Sequence, residues 1–195
     1  MSSTQKVREE IAEGLKNQPN VSDVALRKMF GGRQTDISVQ VNGSPVAIQL
    51  VYSHLTEAEV RARTTHFNAY GLSVMWVFPF PLSGRLYTKK TYRFCHAAFY
   101  GRVYCHHVGQ LVFPVRFEPA FTYIVERKWR KDGNVCLGGG YKKTLKRIKT
   151  AVAEDAISIA QDFRVLQKAA WSNDKIQIPK CSLFINKNLT SEGLA

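Results

Sequence analysis

Thr35-Asp36-Ile37-Ser38-Val39-Gln40-Val41-Asn42-Gly43-Ser44-Pro45-Val46-Ala47-Ile48-Gln49-Leu50-Val51-Tyr52 is the stretch on which the fold turns. In its first half Asp36, Ser38 and Gln40 alternate with Ile37, Val39 and Val41, the period of two expected of a strand. Val46–Tyr52 is a second run rich in β-branched and aromatic residues. Asn42-Gly43 between two such runs predicts a hairpin with a two-residue turn. That turn sets Val41 against Ser44 and so Asp36 against Gln49, with Cβ atoms about 4.5–5.5 Å apart on one face. Val51, two residues beyond Gln49, points to the same face.

Working outward, Thr4–Lys16 carries Val7, Ile11 and Leu15 four residues apart, which predicts an amphipathic helix ended by Gln18-Pro19-Asn20. Val21–Phe30 reads as a strand closed by Gly31-Gly32. On the other side, Thr56-Glu57-Ala58-Glu59 forms a capping box with Thr56 at N-cap. Its helix should run to about Tyr70, with Gly71 as the left-handed stop. Leu72–Phe78 is almost wholly apolar, as for a strand buried on both faces, and Pro79 and Pro81 finish it. This order predicts an α/β fold, a mixed sheet flanked by helices, over residues 1–82.

Residues 83–195 read as a basic extension packed on that core. Tyr92–Tyr100 is expected to be helical, and Arg102–His107 with Leu111–Phe117 to form a hairpin around Val108-Gly109. Tyr123–Tyr141 reads as a basic, Gly-rich loop. The spacing of Leu145, Ile148, Val152, Ile159, Phe163 and Leu166 predicts a long helix from about Tyr141 to Ala170. A short strand is expected over Lys175–Ile178.

Composition sets the function classes. In 195 residues, 45% hydrophobic and 22% charged is the balance of a folded globular chain. No apolar run approaches the roughly 20 residues of a membrane span, and Met1–Lys16 is charged, so the expectation is a cytoplasmic protein with no membrane partner. Lys plus Arg total 28 against 15 Asp plus Glu, a net charge of +13. Such an excess favours polyanions as partners, because neutralised phosphates release counterions.

The cations concentrate. Arg127, Lys128, Arg130, Lys131, Lys142, Lys143, Lys146, Arg147 and Lys149 face Asp132 as the lone acid within residues 127–149. In the first turns of a helix from Tyr141 they would oppose the macrodipole, which suggests use in gripping phosphates. Trp129 and Tyr141 could stack on bases. Gly138-Gly139-Gly140-Tyr141-Lys142-Lys143-Thr144 lacks the spacing of a phosphate loop. The four cysteines (Cys95, Cys105, Cys136, Cys181) make no CxxC pair, and Cys95-His96 with Cys105-His106-His107 matches no common zinc module. Trp76 lies in an apolar strand and is assigned to the core.

An acid on one strand facing acid-x-Lys or acid-x-Gln on its neighbour is the layout of the PD-(D/E)XK nuclease core, in which carboxylates hold Mg²⁺ and a third group orients water. The segments Arg33-Gln34-Thr35-Asp36-Ile37, Val46–Ser53, Arg63-Thr64-Thr65-His66-Phe67-Asn68-Ala69-Tyr70-Gly71-Leu72 and Met75-Trp76-Val77 resemble the competence CoiA-like family of that superfamily. Gly101-Arg102-Val103-Tyr104 and Phe113-Pro114-Val115-Arg116-Phe117 are similar to its downstream region. The resemblance spans about residues 1–120 and implies a nuclease-like fold acting on nucleic acid, DNA first.

Two departures stand beside it. Gln49 takes the place of the family's metal-binding Glu, and Val51 that of its catalytic Gln or Lys. Asp36 remains, with Glu9, Glu10, Glu13, Glu57 or Glu59 as conceivable substitutes, although Glu59 is explained by the capping box. The site residues expected are therefore Asp36 and Gln49 as a degraded catalytic pair holding no metal, Arg63 toward a backbone phosphate, and the basic cluster. The leading expectation is a nucleic-acid-binding pseudoenzyme without a cofactor. One alternative is an active Mg²⁺-dependent DNA endonuclease. The other is an inhibitor encoded by a mobile genetic element that binds a nucleic-acid-handling protein complex.

Overall fold

The computed structural model describes residues 3–52, 54–82, 89–144, 149–173 and 176–189. Helix α1 (Ser3–Lys16) buries Ile11, Ala12 and Leu15. The expected strand 21–30 divides into β1 (Val21–Leu26) and β2 (Met29–Phe30), with Arg27 at φ +52° between them. A two-residue strand β3 (Arg33–Gln34) folds back on β2.

The central hairpin forms as its turn dictates. Strands β4 (Ile37–Val41) and β5 (Ser44–Leu50) pair antiparallel with Ile37 opposite Ile48 and Val41 opposite Ser44. Asn42 and Gly43 both take positive φ, at 49° and 73°. Helix α2 (Glu57–Ala69) begins at the Thr56 cap, whose hydroxyl accepts from the Glu59 N–H while the Glu59 carboxylate accepts from the Thr56 N–H at 2.8 Å. Strand β6 (Ser73–Phe78) is buried at every position and lies parallel to β5, with Gln49 beside Trp76. The Trp76 indole is assigned correctly to the core. It donates to the Thr64 hydroxyl of α2 at 3.1 Å, and that hydroxyl donates on to the Val60 carbonyl.

Beyond β6, helix α3 (Lys90–Ala98) and the antiparallel pair β7 (Val103–His106) and β8 (Leu111–Pro119) follow the expected order. From there the chain departs from expectation. Residues Tyr123–Tyr141, expected as a loop, are most of a long hairpin, β9 (Thr122–Lys131) and β10 (Asn134–Thr144), joined by Asp132-Gly133. The helix expected over 141–170 is absent from its described part. In its place come β11 (Lys149–Ala153), β12 (Ile157–Ser158) and β13 (Phe163–Lys168). The helical spacing of Val152, Ile159, Phe163 and Leu166 is coincidental, since these residues sit on different strands and turns. Strands β14 (Trp171–Ser172) and β15 (Gln177–Ile178) make a small pair, and β16 (Cys181–Asn186) ends the described chain's strands.

Among the described residues ten strands share one mixed sheet, ordered β1-β4-β5-β6-β7-β8-β11, with β12 on β8. Strand β16 runs parallel to β6 through Leu183 and Val74, and carries β13 antiparallel on its other side. Asn68 at the end of α2 fixes this insertion, donating to the Ser182 carbonyl and accepting from its N–H at 2.6 Å. Strands on either side of residue 82 thus share one sheet and one apolar core, which includes Ile11, Ile48, Trp76, Tyr104, Phe163 and Leu183. No helix of the described residues is long and apolar enough to cross a membrane.

Candidate nucleic-acid interface

Asp36 stands at a bend immediately before β4, one residue beyond the last observed pair of the hairpin, Ile37 opposite Ile48. Both oxygens of its carboxylate accept hydrogen bonds. Oδ1 accepts from Arg8 Nη2 at 2.6 Å and Nε at 3.1 Å, and Oδ2 accepts from the Leu50 N–H at 2.9 Å. Arg8, on α1, is 8% exposed. A guanidinium fork on one oxygen and a backbone amide on the other is a strong, charge-assisted arrangement. It ties the first helix to the hairpin across 28 residues.

Gln49 has no exposed surface. Its Nε2 donates to the Ile48 carbonyl at 3.3 Å, and its Oε1 has no hydrogen-bond partner. Val51 is buried, and its N–H is spent on the Val77 carbonyl. Magnesium demands near-octahedral oxygen ligation, commonly from one or two carboxylates plus water. The residues present do not fit it. The lone carboxylate already holds a cation and an amide, and the Gln49 amide oxygen is walled off from solvent. Among the described residues no three His, Cys, Asp or Glu side chains gather as a metal-holding group.

The reserve acids are also occupied. Glu59 closes the capping box, and the Thr56 amide holds its carboxyl below the ordinary value. Glu57 pairs with Arg61 at 2.5 Å, Glu10 accepts from the Gly109 N–H at 3.1 Å, and Glu9 accepts from Gln5. Glu13 lies near Lys16 on the exposed side of α1.

Above Asp36 is a cleft of about 390 Å³ lined by Gly32, Arg33, Gln34, Thr35, Asp36 and Arg63. Arg63, the cation nominated from the sequence, does reach this cleft. Arg33 was missed, although it lies three residues before Asp36 in the quoted segment. Arg33 also lines a larger neighbouring cleft of about 1030 Å³, together with Arg61, His66 and Lys90. Two of these side chains have structural partners: Arg61 pairs with Glu57, and the His66 ring bonds the Phe30 carbonyl at 2.6 Å.

The rest of the basic cluster is elsewhere. Strands β9 and β10 form a two-stranded ribbon separate from the ten-stranded sheet. It carries Arg127, Lys128, Arg130, Lys131, Lys142 and Lys143, all exposed. Lys149 begins β11 on the main sheet, half-buried and near His96. Lys146 and Arg147 lie outside the described residues, as does Ser53 of the family-like strand. The described cations lie on strands, so no helix macrodipole opposes them. The glycine run has another use. A Cβ at Gly138 would meet the Trp129 ring at 3.0 Å, and one at Gly140 would collide with Ile124. Glycine therefore lets a large side chain from the partner strand lie across the backbone on each face of the ribbon.

The cysteine and histidine pairs build no metal site. Cys95 and Cys105 are buried, and burial pushes both thiols up. Burial, with Lys149 and Arg102 nearby, brings His96 down to about 4.

Residues 28–114 match the family model described as competence protein CoiA, nuclease-like domain. This segment is thus similar to a CoiA nuclease-like domain. No curated protein and no solved structure gave a significant match to the chain. The CoiA segment runs from β2 into β8 and contains the Asp36–Gln49 hairpin, Arg33, Arg63 and both clefts. Two features fall outside it: Arg8, which closes Asp36, and the basic ribbon.

Proposed function

We propose that this chain binds nucleic acid, DNA first, on a CoiA-type scaffold that no longer hydrolyses it. One observation carries the reading. Both oxygens of Asp36 are already committed, to Arg8 and to the Leu50 amide, where a nuclease would need them for a metal ion. Gln49 and Val51 supply neither negative charge nor a group to orient water, and metal-assisted hydrolysis relies on charge and positioning together. The net charge of +13, Arg33 and Arg63 at the cleft and the exposed cations of the ribbon support binding without turnover.

Two measurements on the purified chain test this. Incubation with single- and double-stranded DNA in Mg²⁺ or Mn²⁺, beside Asp36→Ala, should leave the DNA intact. Cleavage that Asp36→Ala abolishes would establish the active-endonuclease alternative. A titration over a salt series should show affinity falling about tenfold or more between roughly 50 and 200 mM salt. A flat response would remove nucleic acid as the partner. The reading as an inhibitor of a nucleic-acid-handling complex would then be pursued by pull-down from nuclease-treated lysate.

A further inference from the structure

We infer that the β9–β10 ribbon is a stacking platform for single-stranded nucleic acid, with one face reading unpaired bases. The inference rests on the binding function proposed above and names its substrate class. Strand alternation and the observed register sort the side chains by face. Tyr123, Val125, Arg127, Trp129 and Lys131 project from one face of β9. The register sets Lys143 opposite Tyr123, Tyr141 opposite Val125 and Cys136 opposite Trp129. That face therefore combines three aromatic rings with Arg127, Lys131 and Lys143. The opposite face carries Ile124, Glu126, Lys128 and Arg130 against Lys142, Leu137 and Val135, and has no aromatic ring.

The rings are placed for use. Tyr123, Trp129 and Tyr141 are each 43–48% exposed. Trp129 lies down over Gly138, so one side of the indole rests on the ribbon while the other meets solvent. About 13 Å separates the Trp129 position from that of Tyr141 along the strands, and strands of about ten residues give the platform a length of about 33 Å. Every base has a π-face, so stacking tolerates any sequence, while Arg and Lys between the rings hold the phosphates. In a duplex the bases are already stacked on one another, which makes the unpaired strand the ligand that uses these rings.

The test uses the full chain and labelled single-stranded DNA and RNA of about 12 nucleotides, with the matching duplexes. Single strands should bind at least about tenfold more tightly than duplex at equal salt. Trp129→Ala with Tyr141→Ala should weaken single-strand binding about 100-fold, since each ring accounts for about tenfold. The slope of affinity against salt should stay as in the parent, because no phosphate contact is removed. Trp129→Phe with Tyr141→Phe should stay within about threefold of the parent, which separates stacking from folding. Ile124→Ser with Val135→Ser on the other face should also stay within about threefold. Equal affinity for duplex and single strand, or aromatic deletions that leave single-strand binding unchanged, would overturn the platform while leaving the binding function intact. Loss of binding to every nucleic acid, with a flat salt response in the parent, would overturn both.

Discussion

Two hairpins of this chain use nearly the same turn and meet opposite fates. Asn42-Gly43 joins β4 to β5, and Asp132-Gly133 joins β9 to β10, with both residues at positive φ in each turn. This is the turn chemistry that matches strand twist. What differs is what the faces carry. Ile37, Val39 and Val41 against Val46, Ile48 and Leu50 give the first hairpin enough apolar surface to sit inside a ten-stranded sheet. There each polar group must find a partner or cost stability, so Asp36 becomes a structural anchor for Arg8 and the Leu50 amide. The second hairpin carries cations on both faces and stays out in water, where polar groups remain free to meet a ligand. Position in the fold, rather than residue type, decides whether a charge is spent on internal bonds or stays in solvent.

The comparison breaks or sharpens at particular residues. The two tryptophans should give the largest contrast. Trp76→Ala empties a site 1% exposed and should cost about 3–5 kcal/mol, whereas Trp129→Ala should stay within about 0.5 kcal/mol, both read by urea unfolding. Next, Arg8→Ala strands the Asp36 carboxylate in a partly buried site. About 2–4 kcal/mol should be lost, against about 0.5 kcal/mol or less for Arg130→Ala on the ribbon. An Arg8→Ala protein as stable as the parent would show that the hairpin does not need its anchor.

A third contrast is with pH. His96 is held near 4 in the fold against about 6.5 in the unfolded chain, so below pH 6.5 the unfolded state binds the extra proton. The stability tied to His96 is complete above about pH 6.5 and is lost as pH falls toward 4. Urea midpoints at pH 7 and pH 5 should show the drop, and His96→Gln should flatten it. The smallest effect is expected at Gln49. Its Oε1 has no partner, so Gln49→Met should be neutral or stabilising, within about 1 kcal/mol. A large loss there would reveal a polar role for the buried amide.

The first hairpin was legible because one strand alternates apolar with polar and the other is rich in β-branched residues, and because Asn-Gly marks the turn. Its register from Val41–Ser44 to Ile37–Ile48 followed from turn length. The capping box at Thr56 was equally plain. Arg8 was not, since a cation on an amphipathic helix reads as solvated. A clue lay in Arg8, Ala12 and Leu15, which share one helical stripe with Ala12 and Leu15 buried. The second hairpin was hidden for the reason that keeps it exposed. With cations on both faces, hydrophobic alternation disappears, and Asp132-Gly133 alone does not separate a hairpin turn from a loop. Residues 149–168 were misread because short β-strands separated by turns happened to repeat apolar residues at helical intervals. Strand pairing across long sequence separations leaves no local periodic signature to correct that error.

The placement of β16 between β6 and β13 also governs assembly. A vectorially emerging chain covers the Val77–Phe78 end of one flank of β6 with β7 but leaves its Val74 end unpaired until Cys181–Asn186 arrives, more than a hundred residues later. Such late closure makes the nascent protein prone to edge-to-edge self-association, and slow to mature relative to a sheet whose neighbours are consecutive.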